Sequence, residues 1–453
     1  MNAHSRFQHD AGQRWRPRRR GFAIAIVLWA VAIVAVMLAG IQIASFRQAA
    51  SGREALARVR AMWAARAGIE NVIAKVQGQT RQSTPVSTVA IVASIAAEAD
   101  GVLPNATWRI ERTDENGTIQ PGILDAHTRI NINLMTNADL ILLPDMTDEI
   151  SGAIIDYIDA DEDPGTSGAE NETYGSLEHS YKARNAPIRN LAELDLVYNV
   201  RPEYVRGIDG DLDNIVSARE RGSSDQTSRT SSVADAGWSA YVTAASSTSG
   251  LSPTGDKKID LTATQSSELT ALLGINTAQA DGIISAAAVP GATMETFLRT
   301  SLSTLATQAA QASGTNLPAN RRPQDLTTDQ LALLYDDCTI GDPALTKPGK
   351  VNLNTVTRDT LNYLSTVDQT LADEIIEYRD SKGGEVASIT ELLQISGITR
   401  AQLATLATQL DVQSTVFSAT SRGRDNATGI EVEMIVDIDR STMPVTIRSL
   451  RVK

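Results

Sequence analysis

Arg16-Pro17-Arg18-Arg19-Arg20-Gly21-Phe22 stands directly before an apolar run that continues unbroken to Ile41. The twenty residues from Phe22 to Ile41 carry no charge, and their only side-chain donor is the indole of Trp29. At ~1.5 Å rise per residue such a run crosses the ~30 Å hydrocarbon core of a bilayer once. Arg14, Arg16, Arg18, Arg19 and Arg20 precede it, so the positive-inside bias places the N-terminus in the cytoplasm and the rest of the chain across the membrane.

Beyond the apolar run, Gln42 to Gln79 is amphipathic and free of proline, with Ala, Leu, Val, Ile and Trp interleaved among Arg47, Arg53, Glu54, Arg58, Arg60, Arg66, Glu70 and Lys75. This pattern predicts one helix over 22–80, on the order of 85 Å long. A secretory signal peptide would have a shorter apolar region and a small-residue cleavage site after it. An uncleaved anchor would leave Arg-Gly-Phe and the long helix unexplained. The basic leader over 1–21, the Gly21-Phe22 junction and the helix together resemble the class III signal of type IV pilins and type II secretion pseudopilins. The resemblance implies cleavage by a prepilin peptidase after Gly21 and methylation of the new N-terminus, Phe22.

The fifth residue after that junction is Ile26, where most pilins carry a glutamate. A carboxylate in lipid is costly unless a partner offsets it, and in that family the partner is the N-terminal amine of a neighbouring subunit. Among pseudopilins, absence of the glutamate marks the K-type minor subunit, so the resemblance implies a position at the pilus tip.

Net charge is −13, and residues 1–20 hold six arginines against one aspartate, which leaves about −18 on the remainder. An acidic surface argues against sequence-blind binding of nucleic acid. With Cys338 alone, no intrachain disulfide can form. Ala106 to Arg112, a turn at Glu115-Asn116-Gly117, and Gly122 to Asn133 alternate as a hairpin. Ser414 to Arg422, Gly429 to Asp439 and Pro444 to Val452 alternate likewise at the far end. Residues 101–133 plus 412–453 are therefore expected to form one sheet. The predicted fold is α+β: a long N-terminal transmembrane helix packed on a small antiparallel sheet, pilin-like, with a large, mostly α-helical insertion.

That insertion carries an internal repeat. Arg129-Ile130-Asn131-Ile132-Asn133, Lys258-Ile259-Asp260-Leu261-Thr262 and Lys350-Val351-Asn352-Leu353-Asn354 open three units, and a helix-turn-helix pattern follows each. The first unit (134–216) and the third (346–411) add a second helical pair, at Leu191 to Leu194 with Pro202 to Val205, and at Ile389 to Leu393 with Gly397 to Thr399. The second unit spans 258–345, and the Ser/Thr/Gly-rich segment 217–257 reads as a linker in which Trp238 and Tyr241 are candidates to dock. The units resemble helix-hairpin-helix modules. DNA-binding versions use glycine hairpins followed by Lys or Arg. Here the hairpins are Pro144-Asp145-Met146 and Ser365-Thr366-Val367, and the helices after them begin with Asp148, Glu149 and Asp373, Glu374. Those carboxylates repel phosphate, so the units read as protein-packing modules and not as nucleic-acid binders.

The sharpest chemistry is acidic. Asp156, Asp159, Asp161, Glu162, Asp163, Glu170 and Glu172 fall within seventeen residues that contain no Lys or Arg. A hard cation with all-oxygen ligands would neutralise them, and Pro164, Gly165 and Gly168 suit the irregular wrapping of calcium better than octahedral magnesium. Asp159, Asp161, Asp163 and Glu170 occupy offsets one, three, five and twelve of an EF-hand loop, but Pro164 at offset six excludes the EF-hand turn itself. The other reading is a solvated acidic loop. Asp156 to Tyr181, with Arg184-Asn185-Ala186-Pro187 and Leu191-Ala192-Glu193-Leu194, resembles the calcium-binding part of the K-type pseudopilin. A second cluster, Asp209, Asp211 and Asp213, reads either as a further metal site or as a plain turn.

No enzyme signature is present: His4, His9, His127 and His179 are scattered, and there is no Gly-x-Ser-x-Gly, His-Glu-x-x-His or phosphate loop. Taken together, the resemblance implies a minor pseudopilin that initiates assembly at the tip of the secretion pseudopilus and supports export of folded proteins across the outer membrane. It implies a single-pass inner-membrane location with a periplasmic C-terminal domain. The implied partners are other minor pseudopilins, the major pseudopilin, the inner-membrane secretion machinery and the prepilin peptidase. The alternatives are a membrane-anchored DNA-uptake receptor and a type IV pilus tip subunit.

Overall fold

A computed structural model describes residues 20–82, 84, 86–113, 118–213, 220, 237–345 and 347–453. The leader up to residue 19, Ser83, Pro85 and the turn Glu115-Asn116-Gly117 lie outside the described residues. The chain divides into two bodies, Met1–Val59 and Arg60–Lys453, and each is described by itself.

Helix α1, Arg20–Thr80, is 61 residues long and agrees with the predicted span. Within the first body its apolar side chains are open, Trp29 at 71% and Val36 at 73% exposed, and this is the one helix among the described residues long and apolar enough to cross a membrane.

In the second body the rest of α1 lies on a seven-stranded antiparallel sheet. Ala61, Ala64, Ala65 and Gly68 make a small-residue face, so the backbones approach closely. Helix α2, Thr88–Ala96, is capped by Ser87 and follows α1. Strands β1 (Asp100–Leu103) and β2 (Ala106–Thr113) form a hairpin. The expected strand Gly122 to Asn133 is instead broken. β3 (Ile119–Pro121) pairs with β2, β4 (Leu124–Asp125) crosses to the far end of the chain, and β5 (Ile130–Asn131) leaves the sheet. The break has two causes: Gly122 takes φ +117°, and the Asp125 carboxylate caps a short 3-10 turn by accepting from His127 N at 2.9 Å.

The sheet is completed by residues some three hundred positions later, as the alternation predicted. Its order is β1-β2-β11-β12-β13, where β11 is Val416–Asp425, β12 Glu431–Asp439 and β13 Thr446–Val452. At Gly423 on β11 a Cβ would lie 2.0 Å from Ala61 O, so only glycine permits this approach of helix to strand. Ile69, Val72, Val76, Ile110, Phe417, Met434, Val436 and Ile438 fill the space between helix and sheet, each side chain contributing about 2 kcal/mol by leaving water.

The insertion forms one continuous core from Ile130 to Val412, built on three parallel two-residue pairs. β5 pairs with β6 (Val242–Thr243), β7 (Ile259–Asp260) with β8 (Cys338–Thr339), and β9 (Val351–Asn352) with β10 (Leu410–Asp411). Each opening strand ends in the same local bond: Asn131, Asp260 and Asn352 accept from the N–H two residues on, at 3.0, 2.9 and 2.9 Å. Asn133 and Asn354 then pair with the backbone of Ile188 and Val386 through both ends of the amide.

Two expectations change. Residues 237–257 are not a linker: β6 closes the first unit, Trp238 is 1% exposed, and its indole donates to Pro144 O at 2.8 Å. Residues 217–219 and 221–236 of that segment lie outside the described residues. The second unit also has a second helical pair, Met294–Arg299 and Leu302–Ala312, hidden in the sequence by its Thr and Ala content.

Candidate metal centre

In the first unit, α3 (Asn137–Leu140) and α4 (Asp148–Ile158) are each started by a threonine cap, Thr136 and Thr147. Ile150, Ala153, Ile154 and Tyr157 turn one face of α4 into the core, and that face carries Asp156 inward with them at 3% exposure. The chain after α4 folds back over this carboxylate. Gly165 N donates to Asp156 Oδ1 and Oδ2 at 3.3 and 3.1 Å, and a Cβ on Gly168 would stand 1.8 Å from Asp156 Oδ2. Gly168 is therefore required for the loop to close on its buried anchor.

That closure brings Asp159, at the end of α4, together with Asp161 and Glu170, the cap of α5 (Asn171–Gly175); a ligand oxygen from each lies within 4.8 Å of the others. Asp163 does not join them. Its backbone N–H donates to Asp161 Oδ1 at 3.0 Å and so braces the cluster from outside. Two residues of the quoted stretches, not singled out as ligands from the sequence, also contribute. Asp156 supplies the anchor, and Asn185, itself tied to the loop by a bond from its Nδ2 to Asp161 O and from its N–H to Tyr157 O (3.1 Å), presents its amide oxygen. Asn185 stands fifteen positions after Glu170, beyond any contiguous loop pattern, and only its place in the quoted Arg-Asn-Ala-Pro stretch could have marked it.

Asp159 Oδ1, Glu170 Oε1 and Asn185 Oδ1 are buried and have no hydrogen-bond partner. No Lys or Arg forms an ion pair with Asp156, Asp159, Asp161 or Glu170 among the described residues. Burial, then the charges of Asp161 and Asp156, hold the Asp159 carboxyl above its ordinary pKa. Burial likewise raises that of Glu170, against a bond from Asn171 N–H, with Asp156 and Asp159 adding to the rise. Three orphaned oxygens among crowded carboxylates form an all-oxygen donor set open to a hard cation, and the irregular loop fits calcium.

The second cluster is built otherwise. Asp209, Asp211 and Asp213 also converge, but Lys453 pairs with both Asp211 and Asp213. Arg451 donates to Asp211 O and Leu212 O at 2.9 and 2.7 Å. Arg129, buried, feels the charge of Asp209. Gly21 and Phe22 lie at the start of α1, and Ile26 is 55% exposed on it.

A long apolar helix and an antiparallel sheet, with the candidate site carried on a helical insertion between two halves of that sheet, make up the α+β, pilin-like arrangement expected from the sequence. Residues 118–209 match the family model of type II secretion system protein K, and residues 347–411 match the helix-hairpin-helix motif. A type II secretion system protein K from Pectobacterium carotovorum subsp. carotovorum is 26% identical over 219 residues, which make up 44% of this chain and 61% of that relative. The match thus spans less than two thirds of the relative's length. A chain in the crystal structure of the GspK-GspI-GspJ complex from the enterotoxigenic Escherichia coli type 2 secretion system aligns over 89% of this chain and 99% of its own. That alignment has a TM-score of 0.43 and 12% identity. Over residues 118–209 the chain is thus similar to the K-type subunits of type II secretion.

Proposed function

We propose that the chain is the minor pseudopilin that leads the secretion pseudopilus: it initiates assembly at the tip, with its large second body in the periplasm and α1 crossing the inner membrane. The observation that carries this reading is Ile26, an apolar residue where a filament subunit needs a carboxylate to pair with the subunit ahead of it. A subunit without that carboxylate can be followed but has no need to follow. The partners are other minor pseudopilins and, behind them, the major pseudopilin. Cleavage after Gly21 and methylation of Phe22 would prepare the helix for that assembly.

Calcium is proposed at Asp159, Asp161 and Glu170, with Asn185 as a fourth donor, supported by the convergence of the three carboxylates and the unpartnered oxygens of Asp159, Glu170 and Asn185. When bound it would supply the positive charge that the loop lacks and lock the loop on Asp156. The DNA-uptake reading is disfavoured by Asp148 and Glu149 at the start of α4.

The test is co-purification of the full chain from membranes with the other minor pseudopilins, with and without Ile26→Glu. Tip leadership predicts capture by the wild type and loss of secretion, without loss of folding, in the variant. Finding the chain repeated along the shaft of isolated pili would end the proposal.

A further inference from the structure

Away from the metal loop, a cavity of about 230 Å³ opens between the start of α2, the residues after β10 and the segment before β7, and its wall includes Arg440, Thr88, Ser249, Leu251, Val386 and Glu385. Arg440 follows directly on β12. Its Nε donates to Ser414 O at 2.8 Å and its guanidinium carbon lies 5.7 Å above the Phe417 ring, which together fix the plane of the fork. Nη1 and Nη2 make no hydrogen bond or ion pair among the described residues. Asp125, the nearby carboxylate, does not pair with the guanidinium: it accepts Ser414 Oγ at 2.6 Å and Thr355 Oγ1 at 2.6 Å, so it reaches Arg440 only through Ser414. Burial pushes the Arg440 guanidinium down to about 10, with Asp125 opposing that shift.

A half-buried cation with one edge tied and the other free at the wall of a cavity has no ion-paired counter-ion among the described residues. We propose that this cavity binds a small organic monocarboxylate on the free edge of the Arg440 guanidinium. Two parallel N–H donors match the two oxygens of a carboxylate, which a lysine in the same place could not do. The nine-residue helix α2 starts at the same wall, with Ser87 and Thr88 lining it, and its first-turn N–H groups add a favourable field for an anion. Leu251 and Val386 leave an apolar side for a short alkyl chain. Glu385, also in the lining, penalises a second negative charge, so a monocarboxylate is favoured over phosphate.

The experiment is a calorimetric titration of the full chain in detergent micelles with acetate, butyrate and hexanoate, and with inorganic phosphate and chloride at constant ionic strength. The expected result is saturable binding of butyrate, at least tenfold weaker phosphate binding, and at least tenfold loss of butyrate affinity in Arg440→Gln. Ala387→Phe narrows the cavity from an exposed position without removing charge, and the same loss is expected there should Arg440→Gln not fold. Absence of saturable carboxylate binding, undiminished binding in either folded variant, or an equal response to chloride would overturn the proposal.

Discussion

Two acidic clusters in the same unit meet the same electrostatic problem with opposite solutions. In the loop from Asp159 to Glu170 the carboxylates converge with no ion-paired Lys or Arg among the described residues, and two of its oxygens, with that of Asn185, are left without a hydrogen bond. At Asp209, Asp211 and Asp213 the carboxylates converge as closely, but Lys453, just after β13, reaches in to hold two of them. The second cluster is completed from within the chain, whereas under the calcium proposal the first would be completed from outside it. The difference teaches that convergence of carboxylates does not itself identify a metal site; the state of the remaining lone pairs does. It also gives the clusters different tasks. With a bound cation the loop would stabilise its own unit, whereas Lys453 and Arg451 join the insertion to the edge strand of the sheet.

The largest expected effect separates the two directly. Calcium at about a hundred times its dissociation constant should stabilise the second body by ~2.7 kcal/mol, a rise in melting temperature of roughly 5 °C over chelated protein. Asp159→Asn combined with Asp161→Asn should abolish that rise, while Asp163→Asn should retain it, since Asp163 only braces the cluster through its backbone. An unchanged rise in the double variant would place the ion elsewhere. Gly168→Ala comes next. Its methyl group meets Asp156 Oδ2 at 1.8 Å, so the loop must open, with a loss of about 1–3 kcal/mol and a weaker calcium response by calorimetry. A response equal to that of the wild type would show that loop closure and cation binding are independent.

Lys453→Met sharpens the comparison from the other side. The ammonium group is one-third exposed, but Asp213 is 7% exposed, so removing the cation takes one charge partner from a mostly buried carboxylate at a cost of about 1–2 kcal/mol. The expected outcome is a modest fall in melting temperature that added calcium now partly restores, as the second cluster comes to resemble the first. Restoration to the same degree in the wild type would mean that the cluster takes calcium in the presence of Lys453.

Much of this was legible in the sequence. Helix α1 follows from an unbroken apolar run and the absence of proline, the sheet from period-two alternation at both ends, and the repeat from the Ile-Asn-x-Asn type openings whose local bonds recur. What was hidden depends on contacts distant in sequence. Trp238 and β6 sit in a Ser- and Thr-rich stretch whose composition suggests a linker, and only their docking on Pro144 and β5 orders them. The strand expected up to Asn133 breaks because Asp125 uses its carboxylate locally. Lys453 was invisible as a partner of Asp213, because 240 residues separate them.

His127 shows a third way to manage a buried titratable group, which is to keep it neutral, and it carries the smallest expected effect. Its Nε2 faces the backbone N–H of Thr415 at 3.1 Å, which can only donate, and its Nδ1 faces Lys350 O at 2.7 Å, which can only accept. The neutral tautomer with the proton on Nδ1 is thereby selected, and protonation of Nε2 would leave the Thr415 N–H without its acceptor. Burial lowers the His127 pKa below its usual 6.5, with the charge of Asp125 opposing. The unfolded chain therefore takes up a proton near pH 6.5 that the folded chain refuses, so stability is complete above that pH and falls as pH drops below it. The slope is at most about 1.4 kcal/mol per pH unit for one proton. In calcium-saturated protein, melting temperature should decline between pH 7 and 5.5, and His127→Asn, though less stable at pH 7, should decline less over that interval. Parallel declines in the two proteins would assign the pH dependence to other groups and leave His127 with a purely steric part in the seam between sheet and insertion.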